Sequence, residues 1–397
     1  MELNAVQPSE QVRQFSFRLN GEVIKVISKP GLPEWDQLLP AAELLAANSR
    51  LIPTDQVLLF GCHHGALAVY LARGLTEGKL SITDNNFTAL EVTRKTLEAN
   101  NISSVDILSV IDFSQTGNQK FTAAFIQLPK GRILARRWLL QAYQALDIGG
   151  NLFIAGSNKN GIQSVIRDAM QLFGKGQVLA YKKGNRVAQL IKESKPSTLP
   201  DWVSTPGVAP GTWMEFSLTL SGQSYQIRSL PGVFSFDHLD LGTKMLLSSI
   251  DLPLDGKVLD LGCGYGIIGL FAAIHGASWV DFIDNDLLAI ASCKETLALN
   301  QITNATVFAG DLLSPIATNK YELILSNPPF HAGRAVDYQI AEAMIRQSYQ
   351  ALNLGGQITI VANRFIRYDR LMNEIFGNAT SLAESGKYHV LSALKMD

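Results

Sequence analysis

The chain has little cysteine, no long apolar run and almost no net charge. Three cysteines in 397 residues, Cys62, Cys263 and Cys293, cannot staple a disulfide scaffold and lack the spacing of a zinc site. No metal is expected, and reduced thiols fit the cytoplasm. No apolar stretch approaches the roughly 20 residues that cross a bilayer, so no membrane contact is expected. The opening Met1-Glu-Leu-Asn-Ala-Val-Gln-Pro8 lacks the basic flank and apolar run of a secretory leader. The formal charge of −1 is unevenly spread: residues 1–195 carry 22 Lys and Arg against 16 Asp and Glu, and residues 196–397 carry 12 against 19. A basic half joined to an acidic half points to nucleic-acid contact by the basic part.

What is present is a duplication. Val57-Leu-Leu-Phe-Gly-Cys-His-His-Gly65 lies against Val258-Leu-Asp-Leu-Gly-Cys-Gly-Tyr-Gly266. Ile82-Thr-Asp-Asn85 lies against Phe282-Ile-Asp-Asn285, and Tyr143-Gln-Ala-Leu-Asp-Ile-Gly-Gly150 against Tyr349-Gln-Ala-Leu-Asn-Leu-Gly-Gly356. The offset stays near 200 residues, so this is a repeated domain rather than a short-period array. Each half alternates apolar, β-branched strands with helical segments, the pattern of a doubly wound α/β sheet of mainly parallel strands. Hairpins are expected around Asn20-Gly21 and Ser221-Gly222, and a helix over 244–250. A polar, proline-containing stretch, Lys192-Glu-Ser-Lys-Pro-Ser-Thr-Leu-Pro200, reads as a linker. The expected division is a first domain over 1–195, a linker over 196–205 and a catalytic domain over 206–397.

The chemistry concentrates in the second half. Glycines 262, 264 and 266 follow a strand and open a helix, where a backbone without Cβ atoms can approach a ligand. Asp260, Asp284 and Asp311 fall at the carboxyl ends of three strands, and Asp284, about 20 residues after the glycines, is placed to bind ribose hydroxyls. The alternation G-x-G-x-G after an Asp, with no arginine poised for a pyrophosphate, favours an adenosyl ligand without phosphate; S-adenosylmethionine fits. Asn327-Pro-Pro-Phe330 ends a further strand. The Asn327 oxygen and the Pro328 carbonyl could each accept an N–H of a purine amine, freeing its lone pair. Pro328 and Pro329 stiffen the turn, and Phe330 can stack on the base.

Residues 230–391 resemble the class I methyltransferases of the small-domain type, and the whole chain is similar to the two-domain ribosomal RNA guanine-N2 methyltransferases. Pro231-Gly-Val-Phe-Ser235, Leu239-Asp-Leu-Gly242, Asp260-Leu-Gly-Cys-Gly-Tyr-Gly266, Ser326-Asn-Pro-Pro-Phe-His-Ala-Gly333 and Gly355-Gly-Gln-Ile-Thr-Ile-Val-Ala-Asn-Arg364 carry the likeness. It implies two tandem Rossmann-like domains with seven-stranded sheets, S-adenosylmethionine as cofactor and ribosomal RNA as partner; a monomer is expected. The small-subunit 16S rRNA is favoured over 23S. It also implies that Asp260, Gly262, Cys263, Gly264, Gly266, Asp284, Asn285, Asp311, Leu312 and Asn327 hold the cofactor, while Asn327, Pro328, Pro329 and Phe330 receive guanine.

The first half lacks this equipment. Leu59 stands for Asp260, His63 for Gly264, Gln127 for Asn327 and Leu128 for Pro328. It carries instead two basic clusters, Lys130, Arg132, Arg136 and Arg137, then Lys182, Lys183 and Arg186, with Trp138 and Tyr181 beside them. Such groups suit phosphates and stacked bases, so this copy is expected to bind RNA. Arg364, Phe365, Arg367 and Arg370 are further candidates for the RNA path. Two rival functions fit parts of the pattern: a protein glutamine or adenine-N6 methyltransferase using the same Asn-Pro-Pro-aromatic turn, and a non-catalytic rRNA-binding assembly factor.

Overall fold

The apolar runs of the sequence become strands sealed on both faces. A computed structural model describes residues 12–109, 111–112, 120–193, 198–252, 255–328 and 335–396, with the backbone alone for 335–339. Two compact units divide the chain, one over 12–213 and one beginning at Met214.

The first unit opens with a hairpin, β1 (Arg13–Leu19) and β2 (Glu22–Ser28). Asn20 and Gly21 take φ of 47° and 90° at its turn, the doubly left-handed geometry that matches strand twist. There follow α1 (Pro40–Asn48), β3 (Gln56–Phe60), α2 (Ala66–Gly74), β4 (Lys79–Thr83), α3 (Phe87–Ala99) and β5 (Val105–Leu108). The unit continues with β6 (Phe121–Gln127), α4 (Arg132–Ala145), β7 (Leu146–Ser157), α5 (Ile162–Phe173), β8 (Gly174–Lys182) and β9 (Asn185–Lys192). The strand order is β5-β4-β3-β6-β7-β9-β8, parallel except that β9 runs antiparallel to β7 and β8.

The second unit repeats this element by element. Its hairpin is β10 (Met214–Leu220) and β11 (Gln223–Ser229), turning at Ser221-Gly222. Then come α6 (Leu241–Leu247), β12 (Lys257–Leu261), α7 (Ile267–Ile274), β13 (Trp279–Asp284), α8 (Leu287–Leu299) and β14 (Ala305–Ala309). The remainder is β15 (Tyr321–Ser326), α9 (Ala335–Ala351), β16 (Leu352–Asn363), α10 (Tyr368–Phe376), β17 (Thr380–Glu384) and β18 (Tyr388–Leu394). The order β14-β13-β12-β15-β16-β18-β17 is the same permutation, so the chain forms two seven-stranded, mostly parallel sheets.

Val57 to Phe60, and likewise Val258 and Leu259, are wholly buried, as strands covered on both faces must be. The exposed edges of the hairpins are pinned in the same way in both units. Asn100, capping α3, bonds the N–H and carbonyl of Lys25, and Asn300, capping α8, does the same to Gln226. Paired main-chain groups no longer offer an open edge.

Two expectations shift. The helix expected over 244–250 begins at Leu241, because the Asp240 carboxylate accepts the Thr243 N–H at 3.0 Å and caps it there. The first unit also runs past the linker expected at 196–205. Trp202 is buried, donates to Gln171 at 3.1 Å and lies under the Arg136 guanidinium, and Gly211 donates to Asp112. No helix among the described residues is long and apolar enough to cross a membrane.

In the second sheet, winding reverses between β12 and β15, which are parallel neighbours. Crevices at such a reversal, outside the carboxyl ends of the strands, are where α/β sheets bind ligands.

Candidate active site

The glycine turn leaves β12 at this reversal. Gly262 and Cys263 both donate to the Ile283 carbonyl, at 2.8 and 2.9 Å, and Gly266 donates to Cys263 at 2.8 Å. The three glycines have φ of 75°, 56° and 89°, which side chains resist, yet their reasons differ. A Cβ at Gly262 would meet nothing within 4 Å, and one at Gly264 only a Val233 methyl at 3.9 Å. One at Gly266 would strike the Cys293 sulfur at 2.7 Å. The first two therefore keep an outer surface clear, and the third lets α7 pack on α8. Cys263 and Cys293 are buried thiols, raised above their usual pKa mainly by burial.

Asp260 is wholly buried. One carboxylate oxygen accepts the Gly269 N–H at 2.8 Å, and the other has no partner. Burial, then repulsion from Asp284, pushes its pKa up to about 7 against the Gly269 hydrogen bond. Asp284 is also raised by burial, opposed by backbone N–H groups of Asp286, Gly264 and Asn285. Its two oxygens accept from Gly264 at 2.8 Å and Asp286 at 2.9 Å. Asp284 thus clamps the glycine turn, with lone pairs left for a ligand. Its carbonyl takes the Gly310 N–H at 3.0 Å, which brings Asp311 and the left-handed Leu312 (φ 52°) beside it.

Asn327 follows β15. The Ser326 hydroxyl donates to the Leu261 carbonyl at 2.6 Å, so the residues just before Asn327 and just before Gly262 are bonded to each other. The Asn327 Nδ2 donates to the Thr243 hydroxyl at 2.8 Å and to Asp240 at 3.2 Å. Its Oδ1 is buried and has no partner. Tyr265 is buried, which raises its pKa, and it donates to the His238 carbonyl, tying the glycine turn to the segment that carries Asp240. Pro328 is buried; Pro329 and Phe330 lie outside the described residues. Asp240 and Thr243 were not among the sequence-derived site residues. The available signal was an Asp-x-x-Thr cap that starts in the quoted Leu239-Asp-Leu-Gly242 segment and ends one residue beyond it, at Thr243.

Two unpartnered buried oxygens, Asp260 Oδ1 and Asn327 Oδ1, together with the cleared face at Gly262 and Gly264, fit a polar ligand bearing N–H or O–H groups and positive charge. S-adenosylmethionine has both.

The first unit keeps the clamp and closes the space. Asp84 accepts from His63 N–H at 3.2 Å and Asn86 N–H at 2.9 Å, as Asp284 does for its turn. His63, at φ 55°, is half-buried with both ring nitrogens enclosed, and their desolvation with the neighbouring His64 lowers its pKa to about 3. His64 bonds the Gln37 carbonyl at 2.9 Å and stacks on Phe17. Gln127, standing for Asn327, donates to the Gly61 carbonyl at 2.5 Å. A side chain at Gly61 would meet the Gln127 carbonyl at 2.9 Å and Trp138 at 3.2 Å.

The basic residues divide. Arg137, expected at the RNA surface, is instead buried, donating to the Gly207 and Ile111 carbonyls at 2.5 and 2.8 Å; it holds the unit together and is withdrawn from the RNA set. Arg132 and Arg136 both grip the buried Asp168, at 2.7 and 2.9 Å, and lower its pKa despite its burial. Arg132 remains half exposed. Lys130 is exposed, as are Lys182 and Lys183 at the β8–β9 tip, with Lys182 3.9 Å from Glu43. Arg186 lies 4.7 Å over the exposed Tyr181 ring.

Comparison with known proteins places these features. The family described as Methyltransferase small domain matches residues 23–189 and again 224–392. A protein of Psychromonas ingrahamii named Ribosomal RNA small subunit methyltransferase C is 34% identical over 282 residues, covering 70% of this chain and 77% of that one. Its namesake in Pseudomonas entomophila is 36% identical over 276 residues, covering 69% and 80%. Among solved structures, the T. thermophilus 16S rRNA N2 G1207 methyltransferase, in complex with AdoMet and guanosine, superposes with a TM-score of 0.80 at 26% identity, covering 96% of this chain and 98% of that one. This chain belongs to the methyltransferase small domain family and carries that domain twice.

Proposed function

We propose that the chain methylates the exocyclic N2 amine of a guanine in 16S rRNA, using S-adenosylmethionine. The observation that carries this is the buried, unpartnered Oδ1 of Asn327 at the end of β15, joined through Ser326 to the residue before the glycine turn. The names of the curated relatives and of the superposed structure support 16S rather than 23S rRNA as the substrate.

When bound, S-adenosylmethionine supplies an electrophilic methyl group. The residues that would hold it are Asp260, Gly262, Cys263, Gly264, Gly266, Asp284, Asn285, Asp311 and Leu312. A purine amine is a poor nucleophile because its lone pair is delocalised into the ring. Asn327 Oδ1 accepts one N–H, and the Pro328 carbonyl is the second acceptor this reading requires. With both N–H groups held, the nitrogen can pyramidalise and direct its lone pair outward. Holding the amine in line supplies most of the acceleration by orientation. No side-chain base is needed, since the alkylated amine is acidic and releases its proton to water. The target base must be unpaired or flipped, at a cost of a few kcal/mol.

The first unit is the copy retained for RNA. Exposed Lys130, Lys182 and Lys183, with Arg186 and Tyr181, suit phosphates and a stacked base, and Arg132 contributes its exposed edge. The protein acts as a monomer in the cytoplasm. The test is transfer of label from the methyl donor. Label in 16S rRNA, lost in Asn327→Ala, supports the reading; label in protein or in adenine supports the glutamine or adenine-N6 rival. A protein that binds no methyl donor is the assembly factor.

A further inference from the structure

We infer that Asp240 and Thr243 are positioning residues that set the orientation of the Asn327 amide. The inference rests on the reading of Asn327 given above. The amide of Asn327 has two N–H donors on one side and one oxygen on the other. Its bonds run to α6 and to the residue that caps it: to Thr243 Oγ1 at 2.8 Å and Asp240 Oδ2 at 3.2 Å. A carboxylate accepts and cannot donate. Rotating the amide by half a turn would set its oxygen against the Asp240 carboxylate, so that state is repelled. The allowed state leaves Oδ1 as the group facing the site, and Oδ1 is the buried atom without a partner. An acceptor there fits an amine donor; the reverse orientation would offer N–H groups to an N–H substrate.

The two positioning residues are themselves held. Asp240 Oδ2 also accepts the Thr243 N–H at 3.0 Å, so one carboxylate caps the helix and orients the amide together. Thr243 is buried. Gly242 between them fits against the Tyr388 ring, which a Cβ there would meet at 3.2 Å. Residues 240–243 are thus locked to β18 on one side and to Asn327 on the other.

The test uses the full chain with 16S rRNA. Asp240→Asn preserves the cap, since Asn serves there as well as Asp, but adds a donor that tolerates the flipped amide. Turnover should fall roughly 100-fold, the scale of a misplaced reacting group, with cofactor Kd by calorimetry unchanged. Thr243→Val should lower turnover roughly 5- to 10-fold, the value of one hydrogen bond, and Thr243→Ser, which keeps the hydroxyl, should restore it. In the ligand-free protein, the Asn327 side-chain amide protons should exchange slowly with solvent by NMR. They should exchange faster in Asp240→Asn and Thr243→Val at unchanged Tm. If Asn327→Ala is inactive while Asp240→Asn and Thr243→Val turn over normally, positioning is refuted and the Asn327 reading stands. Full activity of Asn327→Ala overturns both.

Discussion

Asp260 offers a sharp test of how the cofactor loop is built. Its carboxyl is wholly buried, bonded through one oxygen, and its pKa stands at about 7 against an ordinary 3.8. The folded state therefore holds a proton that the unfolded chain releases. Below the unfolded value both states are protonated and the group costs nothing. As pH rises through the folded value, stability is lost, and above it the full penalty applies. A gap of about three pKa units at 1.36 kcal/mol each is about 4 kcal/mol, distributed at up to 1.4 kcal/mol per pH unit between pH 4 and 7. Asp260→Asn removes the titration and adds an offset that does not change with pH. The assay is pulse proteolysis across a urea series at pH 5, 6, 7 and 8 without ligand. Peptides from 257–299 are scored by mass spectrometry, so the second unit is read by itself. The difference in stability between variant and wild type should move in the variant's favour by about 3 kcal/mol from pH 5 to pH 8. Asp284, also raised by burial, acts in the same direction in both proteins, and Asp260→Asn also removes the repulsion between the two carboxylates. Parallel pH profiles would refute the argument, because the proton would then reside elsewhere.

Asn327→Ala should lower turnover by at least about 100-fold, the scale of removing one transition-state hydrogen bond, while cofactor binding stays measurable by calorimetry. The glycines should separate by assay. Gly266→Ala forces a methyl against the Cys293 sulfur and should lower stability by about 1–3 kcal/mol. Gly262→Ala, which strikes nothing within the protein, should cost only the left-handed strain of about 1 kcal/mol and weaken cofactor binding. In the first unit, Arg137→Met leaves the buried Gly207 carbonyl unpaired, while the Ile111 carbonyl keeps its bond from Gln141 at 2.8 Å, and should destabilise by about 1–3 kcal/mol. The double change Lys182→Glu with Lys183→Glu should leave Tm unchanged. It should weaken rRNA binding and flatten the salt dependence by about two units of slope, measured by filter binding at several salt concentrations.

Much of the site was legible because its parts are local. The apolar run Val258–Leu261 ending in three alternating glycines reads directly as strand, turn and helix. Asp284 and Asn327 each close a strand, so sheet order alone brings them to one edge. Asn20-Gly21 and Ser221-Gly222 announce their own turns. The duplication was equally plain, since each replacement in the first copy, His63 or Gln127, could be read against its counterpart. What stayed hidden depended on partners distant in the chain. Arg132, Arg136 and Arg137 look alike in sequence, yet Asp168 pairs with the first two and the Gly207 carbonyl buries the third.

By itself, then, the sequence determined the alternation of elements, their repetition and which copy retains the chemical groups, because hydrophobic period, turn residues and residue identity are properties of short stretches. The tertiary structure decided which polar groups are already satisfied. Asp240 lies 87 residues before Asn327, and only the winding of the second sheet sets its carboxylate against that amide. A hydrogen bond is assigned by where two atoms end up, and no local pattern records that.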